Sequence, residues 1–423
     1  MLTYEDNMSK LFSIPTQALI FLYFAAFLSA KAQDTLSVEE NQLMIAAPSQ
    51  FTQVPYVTFG KGVGLVSPDS IFSLNIRFRI QNRAVFNFKE KSHNTIEGKV
   101  RRLRLRFDGF VYSPKISYVI QLSFTPEDMD WERTQFPNIL RDAMVFYQVN
   151  DNLTLGAGQT KLPGNRQRVN SSGDLQFVDR SIVNATLNVD RDFGVQAKYT
   201  RRLVNDFHYV LLGAISTGQG RNFYRAVSEL SYTGRLELLP FGMFEAFGDY
   251  FEGDLMREKT PKLSIGMTVN QNYNTLRTGG QIGELLYQPR DMATYMSDWL
   301  FKYRGFAFAS EFLYRTTDNP LTFNEENDIR YVFKGLGQNY QASYILPNDL
   351  EFAGRYTRLD PGERIRQYEP SVQHFTAGLT KYIRGHRLKL QSDLTYELLQ
   401  PHMEIAGSDR NTFILRFQVE LGI

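Results

Sequence analysis

The sequence predicts an all-β chain: a transmembrane antiparallel β-barrel of 16 strands, or 18 if one long connection hides a hairpin. Three observations predict it. Segments with apolar residues at every second place recur from residue 71 to 423; their connections alternate between short and long; and no run of about 20 apolar residues, the length of a helical span, follows the first thirty. The mean hydropathy of −0.32 does not oppose a membrane location, because a barrel strand carries a polar residue at every second place.

The first element is apolar and precedes the strands. "LFSIPTQALIFLYFAAFLSAKAQ" has Lys10 ahead of it, a core through Phe27 and Leu28, and Ala30-Lys31-Ala32 as a cleavage site, so residues 1–32 are expected to be a signal peptide, with Met1 or Met8 as the start. The mature chain then begins at Gln33, with an N-terminal periplasmic segment at 33–70 and the barrel at 71–423. The sequence holds no cysteine, so neither a disulfide nor a lipid-modified Cys contributes.

The strands follow in order. "SLNIRFRIQNRAVFNF" sets Leu74, Ile76, Phe78, Ile80, Ala84 and Phe86 on one face, and "VRRLRLRFDGFV" does the same with Leu103, Leu105, Phe107 and Val111. "KISYVIQLSF" continues after Ser113-Pro114-Lys115, and the pattern runs on through "FHYVLLGAIS", "ATYMSDWLFKY", "LEFAGRYTRL" and others to "NTFILRFQVELGI", sixteen segments in all. That last strand alternates for eleven residues, close to the roughly 9–11 that a tilted strand needs to cross a bilayer, whereas strands of a soluble sandwich typically run about 5–6. It is expected to pair with the first strand, because in hydrocarbon only a closed barrel or a helix satisfies every backbone group. Short turns at 113–115, 150–152, 303–305, 347–349 and 384–386 alternate with longer polar stretches such as 125–138, 161–191, 316–334 and 358–371. Residues 239–261 are long where a short turn is due, and an extra hairpin there would raise the strand count to 18.

With Leu74, Ile76 and Phe78 facing lipid, Arg77, Arg79 and Arg83 face the lumen, and Arg102, Arg104 and Arg106 join them from the next strand. Two readings compete. Lumen acids such as Asp108, Asp298, Glu311, Asp393 and Glu397 could balance these six, or the six could form a ladder of anion sites, since the guanidinium fork suits phosphate and carboxylate. The long segment "KLPGNRQRVNSSGDLQFVDRSIVN" carries Lys161, Arg166, Arg168 and Arg180 against Asp174 and Asp179. Folded inward, it would narrow the pore; left outside, it is a solvated loop. "GKGVG" at 60–64 lacks the spacing of a phosphate-binding loop and reads as a flexible approach to the first strand. The five histidines are scattered and no nucleophile elbow is present, so no metal, cofactor or catalysis is expected, although distant strands could assemble a hydrolase. The charges, 47 basic and 45 acidic, give a net +2 and no expectation of a nucleic-acid partner.

In "SLNIRFRIQNR", "VRRLRLRFDGFV", "RDAMVFYQVNDNLTLGAGQTKLPGNRQ", "FVDRSIVN", "LSYTGRLELLPFG" and "LEFAGRYTRLDPG" the chain resembles the phosphate-selective porin O and P family over most of 59–423. The resemblance implies an outer-membrane barrel of a Gram-negative bacterium, commonly a homotrimer among lipid, with an inward third outer loop and a basic pore for small anions such as phosphate. Arg101 and Arg102 match the family's paired basic residues, Lys161 and Pro163 the start of its third loop, and Asp179 and Arg180 that loop's return. The family's full arginine ladder and lysine cluster have no residue-by-residue match here. The competing classes are a non-selective general porin, a barrel enzyme, and a closed structural or adhesion barrel whose loops bind a partner. A plugged TonB-type transporter does not fit, because the stretch 33–71 is too short for a plug domain.

Overall fold

The computed structural model describes residues 56–130, 137–401 and 410–423; the expected signal peptide and the first part of the segment after it lie outside the described residues. The strands are β1 (Tyr56–Thr58), β2 (Gly62–Val66), β3 (Ser73–Lys89), β4 (Thr95–Val111), β5 (Ser113–Ser123), β6 (Leu140–Gln148), β7 (Leu153–Lys161), β8 (Arg191–Arg202), β9 (His208–Ser216), β10 (Ser231–Leu239), β11 (Lys262–Arg277), β12 (Leu285–Tyr303), β13 (Phe306–Thr316), β14 (Leu321–Phe323), β15 (Ile329–Tyr331), β16 (Gly335–Ile345), β17 (Leu350–Pro361), β18 (Ser371–Arg384), β19 (Leu388–Gln400) and β20 (Asn411–Gly422). Among the described residues, three short helices, α1 (Pro126–Met129), α2 (Arg166–Val169) and α3 (Ile182–Leu187), lie in the connections.

β3 to β13 and β16 to β20 pair in sequence, all antiparallel, and β20 pairs with β3 from Thr412↔Lys89 to Gly422↔Arg79, which closes a barrel of 16 strands. Every alternating segment read from the sequence falls on one of them. The burial pattern is inverted relative to a soluble protein. Trp299 on β12 is 45% exposed while its neighbour Asp298 is 1% exposed, and on β17 Phe352 is 53% exposed beside a fully buried Glu351. An apolar outside and a charged inside suit a sheet wrapped in lipid, and they exclude the soluble sandwich.

The structure changes two expectations. Residues 240–261 hold a 3-10 turn at Glu245–Tyr250 and no strand, so the count stays at 16. The "GKGVG" stretch is not a loose approach, because β2 pairs with β3 from Val63↔Ile76 to Val66↔Ser73, and β1 pairs with β2. β20 covers the edge of β3 only as far as Arg79, with the Ile423 amide donating to the Phe78 carbonyl at 3.1 Å. Beyond that point the edge would present unpaired N–H and C=O groups, and β2 supplies their partners. Gly62 starts this pairing at φ +88°, where a Cβ would stand 2.3 Å from the Ile76 carbonyl oxygen, so only glycine fits.

The long segment between β7 and β8 packs inside the barrel. Val183 and Leu187 of α3 are buried with Leu313, Leu359, Ile365 and Val372, each side chain contributing about 1.5–3 kcal/mol by leaving water. Ser181 caps α3 by accepting from the Asn184 amide at 3.1 Å, and Arg315 donates to the Thr186 and Asn188 carbonyls at its other end.

Candidate functional site: an arginine-lined lumen

β3 and β4 face their arginines to each other across the register, Arg77↔Arg106 and Arg79↔Arg104, with Gln81↔Arg102 next. This row is where strand parity places it. Its partners differ from the expected ones. Asp108 does take Arg77 (2.5 Å) and Arg106 (2.8 Å). The rest of the row is held by connections: Arg104 makes a two-pronged contact with Asp128 of α1 (2.6 and 2.9 Å), Arg79 donates to Ser171 and Ser172 Oγ (3.0 and 2.7 Å), and Arg83 and Arg102 both reach Asp179. Burial pushes the Asp179 carboxyl up, but Arg101, Arg102 and Arg83 outweigh it and hold it far below the usual carboxylate range. Asp128 is likewise held well below that range, where burial is overcome by Arg104 and Arg141.

Two arginines that strand parity would turn to lipid also enter the lumen. The β3–β4 register jumps from Gln81↔Arg102 to Asn82↔Val100, and the β5–β6 register from Gln121↔Asp142 to Leu122↔Leu140. The skipped residues, Arg101 and Arg141, are β-bulges, and each turns inward beside its neighbour. Arg101 reaches Glu127 at 2.8 Å and Arg141 reaches Asp128 at 3.3 Å. A period of two carries no signal for a bulge, which is why the alternation did not reveal them.

The segment 162–190 faces this wall with part of its charge. Lys161 Nζ donates to the Val169 and Asn170 carbonyls (both 2.9 Å), Arg180 to the Gln167 and Asn170 carbonyls (2.7 and 2.8 Å), and Arg168 pairs with Asp190. Burial and then the neighbouring Arg168 and Arg102 press the Arg180 pKa well below that of an ordinary arginine, the mark of crowded positive charge. Arg166 departs from the expected lining role. It is buried away from the cavity among Glu237 (2.9 Å), Asp298 (3.5 Å) and Asp249 (3.6 Å), and these acids outweigh its burial and raise its pKa. Arg83, tied to Asp179 and Glu97, also stands outside the cavity lining.

The remaining acids named from the sequence lie elsewhere. Asp298 accepts two prongs from Arg235 (2.6 and 2.8 Å), Glu311 accepts from the Gln167 amide (2.7 Å) and Asn165 (2.9 Å), Asp393 accepts from the Val178 amide (2.9 Å), and Glu397 contacts His374 (2.8 Å). Three of these four therefore hold, directly or through Arg235, the inward segment against the far wall.

What stays open is a cavity of about 500 Å³ lined by 15 basic and 8 acidic side chains. Most of its wall comes from β3 to β10, the connection at α1, the segment 162–190 and residues 247–251, with Arg221, Gln281, Ile282, Arg387 and Ile423 at its edges, and no side chain of β11 to β13 or of β16 to β19 lines it. Among the described residues no cluster of His, Asp or Glu could hold a metal.

Comparison with known proteins agrees with this architecture. The sequence model of the family described as phosphate-selective porin O and P matches residues 72–274. Among solved structures, an anion-selective porin from Comamonas acidovorans aligns with a TM-score of 0.53 at 11% identity, covering 83% of this chain and 100% of that one. The outer membrane channel DcaP of Acinetobacter baumannii aligns at 0.54 and 13% identity, with 85% and 99% covered, and OmpF of Salmonella typhi in complex with daunomycin at 0.50 and 10%, with 84% and 99% covered. At such identities the likeness is one of fold. No curated protein matches the chain. The chain thus carries the sequence pattern of the phosphate-selective porin O and P family across residues 72–274, on a closed barrel of 16 strands with the fold of outer-membrane porins.

Proposed function

We propose that the protein is a non-catalytic porin through which small anions, phosphate among them, diffuse passively, with the segment 162–190 as its constriction. The observation that carries this reading is the charge of the open cavity, 15 basic side chains against 8 acidic ones. Low-dielectric walls strengthen the field of that excess and concentrate anions in the cavity. Arg77, Arg79, Arg102, Arg104 and Arg106 form the wall side, joined by Arg101 and Arg141, and Lys161, Arg168 and Arg180 form the loop side. The name of the Comamonas porin, anion-selective, supports the same reading. The same reading includes export by a signal peptide at 1–32, supported by the sequence pattern, and assembly as a homotrimer, supported by the family resemblance.

Reversal potential across a planar bilayer in a potassium chloride gradient tests it, repeated with phosphate as competitor. Anion preference with phosphate lowering the chloride current supports the full reading. Anion preference that phosphate leaves untouched limits it to a general anion porin. Cation preference overturns it. The pairing of Asp108, Asp128 and Asp179 with the arginines favours, as a second reading, a weakly selective general porin, for which the reversal potential stays near zero.

A further inference from the structure

We propose that the inward turn at 240–261 is a specificity element that gives the pore an apolar face, so that an anion with an apolar body, such as a small aromatic carboxylate, is held more tightly than a compact anion of equal charge. The proposal rests on the anion-porin reading above.

On this rim of the barrel the other connections span one to five residues, whereas this one spans 240–261. It is anchored on both sides. Lys302 of β12, buried in the wall, donates to the carbonyls of Gly248 (2.6 Å) and Phe251 (2.9 Å), and Asp254 accepts from the Gly305 amide (2.7 Å). Glu252 accepts from Gln167 Nε2 and the Gln176 amide, both at 3.0 Å, so the turn also grips the segment 162–190. A lysine buried to hold backbone carbonyls is an expensive fastening, which speaks against a chance collapse of a long turn.

The anchored turn presents aromatic side chains to the cavity. Ala246 and Phe247 both take left-handed backbone, φ 48° and 57°, a region that bulky side chains rarely enter. Such outliers persist where the surrounding structure imposes them, and they gather at functional sites. Phe247 and Tyr250 line the cavity together with Phe146 of β6 and Leu212 of β9, in the same space as Arg102 and Arg104. Chloride or phosphate gains nothing from an apolar lining and loses hydration beside it. An anion carrying a ring can bury that ring while its carboxylate meets arginine, the mixed apolar and polar arrangement that binding pockets use.

The test measures how much benzoate or acetate halves the chloride conductance of the full protein in a planar bilayer. The expectation for the wild type is that benzoate acts at a concentration about fourfold lower than acetate or less, the equivalent of one buried methylene. Phe247→Gly, which accepts the left-handed backbone and removes the ring, should abolish that difference. Equal potency in an anion-preferring wild type overturns the proposal and leaves the porin reading standing, as does a Phe247→Gly variant that keeps the difference. A wild type that prefers cations overturns both.

Discussion

The cavity is lined by inward side chains of β3 to β10, whereas those of β11 to β13 and β16 to β19 face protein. Both half-walls are rich in charge, but the charge is used differently. On the filled half, Asp298, Glu311, Asp393, Lys302 and Lys389 each hold a backbone or side-chain group of the segment 162–190 or of the turn at 240–261. On the open half, arginines outnumber the acids around them, and several have carbonyls, hydroxyls or shared carboxylates as partners. A buried pair contributes specificity of docking, while an excess of one sign along a water-filled wall contributes a field. The same residue types thus fix a loop on one side and attract a solute on the other.

The largest expected effect separates the halves by stability. Asp298→Ala leaves the buried Arg235 and Arg166 without their shared carboxylate, which should destabilise the protein by about 3–5 kcal/mol, read as a lower thermal denaturation midpoint. Asp108→Ala, on the open half where Asp108 lines the cavity, should lower the midpoint less. Equal losses would break the comparison.

Selectivity should divide the other way. Replacing Arg77, Arg79, Arg102 and Arg104 with Gln should reduce the anion-to-cation permeability ratio by about tenfold, the equivalent of 1.4 kcal/mol. Arg315→Gln on the filled half removes a positive charge that holds α3 and should leave the reversal potential in place.

A smaller, pH-dependent effect follows from Asp179. Its carboxyl is held low in the fold by Arg101, Arg102 and Arg83, so its contribution to docking is fully present above the ordinary carboxylate pKa of about 3.9 and is lost as pH falls toward its folded value. Protection of the segment 162–190 from protease should therefore hold from neutral pH to about 5 and weaken below about 4. Asp179→Asn should weaken it at every pH. The smallest effect is expected at the bulges, where Arg101→Gln or Arg141→Gln alone should shift the permeability ratio by about twofold to threefold, below 1 kcal/mol. A lipid-facing Arg101 or Arg141 would give no shift.

The sequence made the barrel legible because every strand that separates lipid from lumen must alternate, as Leu74, Ile76 and Phe78 do against Arg77 and Arg79. The arginine row followed from the same parity. Three features lay outside that signal. A bulge breaks parity by one residue and hid Arg101 and Arg141. The partners Asp128 and Asp179 come from connections, whose direction no periodicity sets. The turn at 240–261 was visible as an anomaly of length, but its inward course depends on Lys302 and Asp254, which are far apart in the chain and close in the fold. Arg166 misled for a related reason: its place in a basic loop suggested the pore, while three acids from different elements draw it into the wall.

Cysteine accessibility tests the division of the lumen most directly, since the chain has no cysteine of its own. Thr154→Cys places a thiol on the open half, where Thr154 lines the cavity, and Thr376→Cys places one on the filled half, where Thr376 is buried against Thr395. A charged methanethiosulfonate reagent added to single channels should reduce the current of Thr154→Cys and leave that of Thr376→Cys unchanged. Current block at Thr376→Cys, or none at Thr154→Cys, would contradict a path confined to the arginine wall.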